Sequence, residues 1–258
     1  MEGNAERFDG LAEAYDAYRR PYPDAVFREL AERVPAGAHF AVDVGAGTGI
    51  ATEGLLDYLP AAWMVIGVEP GTDMRRVLGR RLRDRPNFQA NPGTAEAIRL
   101  PDGCAGLVTA FTALHWFDRP AFLAEARRLM CPGGLLAICR NRRLGEGVVA
   151  AVDRLVEEQS EMLRDMGRWE AAKRPETGML EGDAGWCVLD VRHYPLSETL
   201  TARDLLDLYL TRSVVQDVVR AIGLRAFRDR FEAICRAHHG DGAFAMRWET
   251  TLVMARVD

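Results

Sequence analysis

Three glycines fall within five residues in the stretch Ala41-Val42-Asp43-Val44-Gly45-Ala46-Gly47-Thr48-Gly49, directly after an apolar run that begins at Phe40. Glycine at this spacing permits positive φ and lets a ligand approach the backbone closely. Glu69 stands at the end of the next apolar run, Met64–Val68. A carboxylate there can accept hydrogen bonds from both hydroxyls of a ribose. Together the bend at 45–49 and the acid at 69 describe a grip on a ribose-bearing ligand. A dinucleotide fold would place its third glycine at position 50, which is Ile50, so a nicotinamide dehydrogenase is disfavoured.

Other residues with usable chemistry follow later apolar runs. His115 comes just after Ala105–Phe111, where it could act as a base or orient an acceptor. Asn141 follows Leu135–Cys139 and could donate to a substrate oxygen. Phe111 and Trp116 could wall a pocket. His193, His238 and His239 lie on late elements and read as surface or packing residues, since an adjacent His-His pair is a weak metal signal. The five cysteines are widely spaced with no CxxC pair, which points to buried free thiols and to neither zinc nor disulfides. No metal is expected.

The elements that would position these residues alternate. Helical spacing covers 5–20, Arg-Pro-Tyr-Pro at 20–23 breaks it, and a second helix runs from Asp24 to Arg33. Strands are expected at Phe40–Val44, Met64–Val68, Phe88–Asn91, Ala105–Phe111 and Leu135–Cys139. Helices fit between them at Ile50–Tyr58, in the Arg-rich segment near 74–85 and at about Ala121–Met130. Such alternation means right-handed crossovers and an α/β, mainly parallel sheet covered on both faces. Arg75, Arg76, Arg80, Arg81, Arg83 and Arg85 read as the solvated face of an amphipathic helix. Beyond the fifth strand we expect a helix over 146–166, a polar stretch over 167–185, a strand from Trp186 to Tyr194, helices over 202–210, 214–221 and 225–238, and a last strand Trp248–Val257.

Bulk properties bound the function. The chain has 258 residues, 48% hydrophobic and 28% charged, enough for one full-sized domain. The net charge of −5 argues against a nucleic-acid partner. No run reaches the ~18 apolar residues of a membrane span, and the opening MEGNAERFDG has no signal-peptide pattern. A cytoplasmic location is the default expectation; the oligomeric state is not written in the sequence.

The G-x-G-x-G turn preceded by Asp43 resembles the first motif of class I S-adenosylmethionine-dependent methyltransferases. Gly93-Thr94-Ala95-Glu96 with Leu100-Pro101-Asp102 is similar to the family's adenine-reading segment, and Pro132-Gly133-Gly134 to its turn into strand five. Phe8-Asp9 through Tyr15, Arg19-Arg20-Pro21-Tyr22-Pro23 and Leu114-His115-Trp116-Phe117-Asp118 resemble the trans-aconitate-methyltransferase-like group of small-molecule methyltransferases. So do Thr199-Leu200-Thr201, Arg212-Ser213-Val214 and the ending Ala255-Arg256. Arg247-Trp248-Glu249 stands where relatives often carry Pro-Tyr-Arg.

The resemblance implies a Rossmann-like fold with a seven-stranded, mainly parallel sheet, an antiparallel last strand and helices on both faces. Within one domain it implies an N-terminal helical lid over 1–35, a cofactor core over 36–140, and sheet completion with a substrate-side cap over 141–258. It implies S-adenosyl-L-methionine as cofactor, held by Gly45, Ala46, Gly47, Glu69, Met74, Thr94, Ala95 and Phe111, with Arg20 on the methionyl carboxylate. His115, Tyr15 and Asn141 become the catalytic candidates, and a small molecule the acceptor. Two other readings share the motif: a lyase or cyclase using the cofactor's aminobutyrate chain, and a binding module or RNA methyltransferase.

Overall fold

Strands β1 (Phe40–Val44), β2 (Met64–Val68) and β4 (Ala105–Phe111) are nearly all buried, β4 along its whole length, as central strands covered on both faces must be. The computed structural model describes residues 12, 13, 16, 19–159, 180, 185–240 and 242–257. In chain order the other elements are α1 (Asp24–Arg33), α2 (Ile50–Tyr58), α3 (Thr72–Arg81), β3 (Phe88–Asn91), α4 (Arg119–Leu129), β5 (Met130–Arg143), α5 (Gly147–Gln159), β6 (Trp186–Leu200), α6 (Ala202–Leu210), α7 (Ser213–Ile222), α8 (Leu224–His239) and β7 (Phe244–Val257).

The strands form one seven-stranded sheet in the order β3-β2-β1-β4-β5-β7-β6. Pairing is parallel from β3 to β5, and β7 runs antiparallel to both its neighbours. The Rossmann-like sheet expected from the sequence, seven-stranded and mainly parallel with an antiparallel last strand, is the one observed. Alternate residues serve the two faces. Ala41, Val65 and Leu107 pack with Phe27 and Leu30 of α1 and Leu55 of α2. Val42, Ile66 and Val108 pack with Phe122, Leu123 and Leu129 of α4. A third apolar cluster joins α5 to α8 with Leu200, Phe244, Met246 and Trp248, forming a cap over the far end of β6 and β7.

Three strands outrun their expected ends. β5 continues from Cys139 through Arg143 because Arg140–Arg143 pair in register with Trp248–Thr251 of β7. β6 passes Pro195 and reaches Leu200; it is an edge strand, where a missing N–H is tolerated. β7 begins four residues early, at Phe244. Residues 160–166 of the expected long helix, most of 167–185, and Tyr15 lie outside the described residues. Of the thiols, Cys139 and Cys235 are buried as expected but Cys187 is exposed.

The arginine run is the solvated face its spacing suggests, with Arg76, Arg80 and Arg83 exposed, and it is ion-paired as well. Arg75 donates to the Glu69 and Pro70 carbonyls, Arg76 and Arg80 reach Glu13, and Arg81 bridges Asp16 and Glu53. Arg83 pairs with Asp84 and Arg85 with Asp57. Ala12 packs on Met74 and Val77 beneath these pairs. Amphipathic spacing showed which face of α3 is apolar, but not that acids elsewhere in the chain pair with the other.

Candidate active site

The sheet order reverses between β1 and β4. The connections leaving these strands diverge to opposite sides and open a crevice at their carboxyl ends, the ligand-binding position of open α/β sheets. Two segments border it: the turn Gly45–Gly49 after β1 and residues 112–118 after β4. Gly45, Gly47 and Gly49 all have positive φ, at 72°, 56° and 92°. Their reasons for being glycine differ. A Cβ on Gly45 would lie 2.6 Å from Ala113 Cβ, and one on Gly49 2.6 Å from Leu78 of α3, so both are packing positions. A Cβ on Gly47 would meet nothing within 4 Å. That open side is where a ligand can reach the backbone.

Glu69 is placed by β2 beside the turn and is nearly buried. Its Oε2 accepts the Gly47 N–H at 2.9 Å and its Oε1 the Gly71 N–H at 2.8 Å. Burial raises its pKa while the two N–H groups oppose the shift. The carboxylate therefore braces the turn, and each oxygen keeps a lone pair for a ribose hydroxyl. Beneath the turn Asp43 is fully buried, accepting Thr52 Oγ1 at 2.6 Å and Thr109 Oγ1 at 2.8 Å. Burial pushes it up to about 6, against those two hydrogen bonds. Thr48 Oγ1 is sealed from water with no partner, an unused hydroxyl inside the turn. An open glycine, a braced carboxylate and a spare hydroxyl fit the ribose and aminoacyl portions of S-adenosylmethionine.

The remaining cofactor candidates surround this centre to different degrees. Gly93 packs against Val68, so Thr94 and Ala95 follow beside the end of β2. Arg128 of α4 fixes the segment by donating to the Ile98 and Leu100 carbonyls, while Glu125 accepts the Ile98 N–H. Ala95 is buried and Thr94 exposed. Met74 is buried in the first turn of α3, against Ala12. Phe111 is buried, its ring 4.7 Å from that of Tyr22 and 5.7 Å from that of Phe27. Arg20 is directed to Glu198 of β6, which also accepts Trp248 Nε1 at 2.6 Å.

After β4, His115 sits in the 3-10 turn Leu114–Trp116, its ring 4.8 Å from that of Trp116. His115 is exposed to solvent. Loss of hydration to the protein around it, then the charges of Arg140 and Arg19, pulls its pKa down to about 4, so the imidazole is neutral at ordinary pH. Asn141 is committed to structure: its Oδ1 accepts Thr250 Oγ1 at 2.6 Å, and its Nδ2 donates at 3.4 and 3.5 Å to the carbonyls of Arg20 and Pro21. It pins residues 19–22 across the strand ends as a strap. Thr112 shares that task, receiving Tyr22 OH at 2.8 Å and the Asn141 N–H at 3.2 Å. Among the described residues Thr112 is the non-glycine residue at positive φ, 50°. Such strain persists where surroundings over-determine it, often at a site.

Sequence reasoning missed Tyr22 and Thr112 as the strap's anchors and Thr52 and Thr109 as the partners of Asp43. Position offered a partial signal: Thr109 and Thr112 flank the end of an otherwise apolar strand. Among the described residues no group of three or more His, Cys, Asp or Glu is arranged to hold a metal. No described helix is long and apolar enough to cross a membrane.

Comparison with known proteins places this geometry. Residues 42–138 match the family model described as a methyltransferase domain. A Dictyostelium discoideum protein named as a methyltransferase is 31% identical over 133 residues, covering 52% of this chain and 48% of its own length. An uncharacterized methyltransferase of Mycobacterium tuberculosis is 35% identical over 136 residues, 53% of this chain and 52% of its own. The chain thus matches about half the length of these relatives. A solved structure from Anaeromyxobacter dehalogenans, assigned as a type II methyltransferase, is 26% identical with a TM-score of 0.71, covering 93% of this chain and 98% of its own. The glycine turn, Glu69 and the adenine-side segment all lie inside the matched stretch, so the part of the chain similar to a methyltransferase domain is the part that builds this site.

Proposed function

We propose that the protein transfers the methyl group of S-adenosylmethionine to a small-molecule acceptor in the crevice at the ends of β4 and β5. The observation that carries this reading is the open face of Gly47 beside a carboxylate already braced by the Gly47 and Gly71 N–H groups. The bound cofactor supplies an activated methyl on a sulfonium. What the chain must add is alignment and exclusion of water, and orientation of this kind contributes on the order of 7–11 kcal/mol.

The roles follow from geometry. Glu69 and the turn hold the nucleoside. The strap at 19–22, pinned by Asn141 and Thr112, covers the strand ends and limits water. His115 faces the crevice as a neutral imidazole. With its pKa near 4 it is a poor acceptor of a full proton, so it orients an acceptor hydroxyl or amine by accepting a hydrogen bond. Trp116 stands beside it as an aromatic wall. A small acceptor is supported by this strap and cap, and by a net charge of −5. The relatives are named as methyltransferases, which disfavours intramolecular use of the aminobutyrate chain.

The test uses methyl-labelled cofactor with a panel of small carboxylic acids, phenols and amines, followed by product analysis. The expected result is label in one acceptor class plus S-adenosylhomocysteine, with Glu69→Ala losing cofactor binding while staying folded. Release of methylthioadenosine with no labelled acceptor, or cofactor binding untouched in Glu69→Ala, would overturn the reading.

A further inference from the structure

Among the described residues the cap contains a half-buried cluster in which two guanidiniums meet one carboxylate. Arg143 at the end of β5, Arg212 at the start of α7 and the Tyr209 hydroxyl of α6 all donate to a single oxygen, Asp153 Oδ1 of α5, at 3.0, 3.1 and 2.8 Å. Both guanidiniums also lie over the Tyr209 ring, 4.5 and 5.1 Å from its centroid. Asp153 and Tyr209 act on Arg143, and Arg143, Asp153 and Tyr209 act on Arg212. Burial raises the Tyr209 pKa, so the phenol is neutral. Two cations therefore share one carboxylate.

Two guanidiniums drawn partly out of water around one carboxylate leave a positive charge whose desolvation is not fully offset. Its effect shows in Arg212, which burial and the neighbouring Arg143 charge bring down to about 10. Arg143 Nη1 is also sealed from water with no hydrogen-bond partner. α7 begins at the cluster with no side-chain cap, which brings the positive end of a ten-residue helix to the same place. These features each favour an anion with two or more oxygens, the partner a guanidinium fork matches best.

The cluster lies further along β5 than the strap. Along β5, alternate residues Cys139, Asn141 and Arg143 share a face, so Arg143 lies about 7 Å beyond the strap-holding Asn141. Trp248 stands opposite Arg143 in the sheet, and through Glu198 it connects to Arg20 of the strap.

We propose that Arg143 and Arg212 bind an oxyanion group, a carboxylate or a phosphate, on the methyl acceptor at the end remote from the methylated atom. The inference rests on the methyltransferase reading above and narrows its acceptor to an anionic molecule long enough to reach from the crevice into the cap. Asp153 holds the two forks in place, and binding of the anion neutralises the excess charge. This requires the cap to admit the ligand at Arg143 Nη1.

The test titrates the full chain, saturated with S-adenosylhomocysteine at constant ionic strength, with inorganic phosphate and separately with malonate. Binding is read by calorimetry and by the thermal midpoint. The parent is expected to bind at least one of the two, and the preferred one identifies the group. Arg143→Gln and Arg212→Gln should each weaken that binding about tenfold or more, the size of a lost charge-assisted hydrogen bond. Arg143→Lys should be intermediate, and all variants should hold S-adenosylhomocysteine as the parent does. A parent that binds neither anion overturns the proposal. So does an Arg143→Gln protein that holds S-adenosylhomocysteine and both anions as tightly as the parent. A parent that fails to hold S-adenosylhomocysteine counts against the methyltransferase reading instead, and the anion titration is then scored on the protein by itself.

Discussion

Asp43 carries a pH dependence whose sign follows from its burial. Its pKa rises from an ordinary 3.8 to about 6, so between those values the folded protein holds a proton the unfolded chain has lost. Stability from this group is present below pH 3.8 and is lost as pH rises through 6, an effect of about 3 kcal/mol at most. Urea unfolding of parent and Asp43→Asn between pH 4 and 7 should show the variant gaining on the parent as pH rises. A difference that stays flat would mean that Asp43 is ionised in the folded state throughout. The sequence already marked this residue as the acid before the glycines, and Glu69 as the acid after β2, because both are fixed by their place at a strand end. What it could not show is where their hydrogen bonds go. Thr52 and Thr109 come to Asp43 from a helix and a neighbouring strand, and the N–H groups of Gly47 and Gly71 come to Glu69 from two separate turns. Such partners are set by tertiary register rather than by local spacing. The same holds for Asn141, which in sequence is a polar residue after a strand and in the fold is spent on the strap.

The strap makes a prediction at the level of elements. Asn141→Ala would strip the acceptor from Thr250, which is 1% exposed, and both donors from the Arg20 and Pro21 carbonyls. A buried hydroxyl left unsatisfied costs about 1–3 kcal/mol. The urea midpoint should therefore fall, and trypsin should cut after Arg19 faster than in the parent. Unchanged cleavage would show that Tyr22 and Thr112 hold the strap unaided. Most elements were legible in the sequence. The parallel strands β1, β2, β3 and β4 have the expected ends because glycine, proline or polar residues stop their apolar runs. The misses are at β5, β6 and β7, and they share a cause. Antiparallel pairing with β7 carries Arg140–Arg143 and Pro195–Leu200 past the central core and into the cap, where Leu200 is buried with Phe244, Met246 and Trp248 in a separate cluster.

At the scale of the whole molecule, charges fasten distant segments around the site. Arg81 donates to Asp16 at 2.6 Å and to Glu53 at 2.5 Å, joining the N-terminal segment to α2 and α3. Its Cδ also lies against Gly49, so the same side chain touches the glycine turn. Arg81 is 24% and Asp16 23% exposed, which leaves part of the attraction unscreened by water, while Glu53 at 38% is more open to solvent. Pairs of this kind contribute up to about 1 kcal/mol each, and salt shortens the Debye length from about 10 Å at 0.1 M to about 3 Å at 1 M. Arg81→Met keeps the stem's packing and removes the charge. At 50 mM NaCl the variant should melt below the parent and bind S-adenosylhomocysteine several-fold more weakly; at 1 M NaCl both gaps should narrow. Gaps that persist unchanged at 1 M would assign Arg81's contribution to the packing of its head group. A variant that matches the parent at both salts would show that Ala12, Met74 and Val77 hold the N-terminal segment to α3 without the ion pairs.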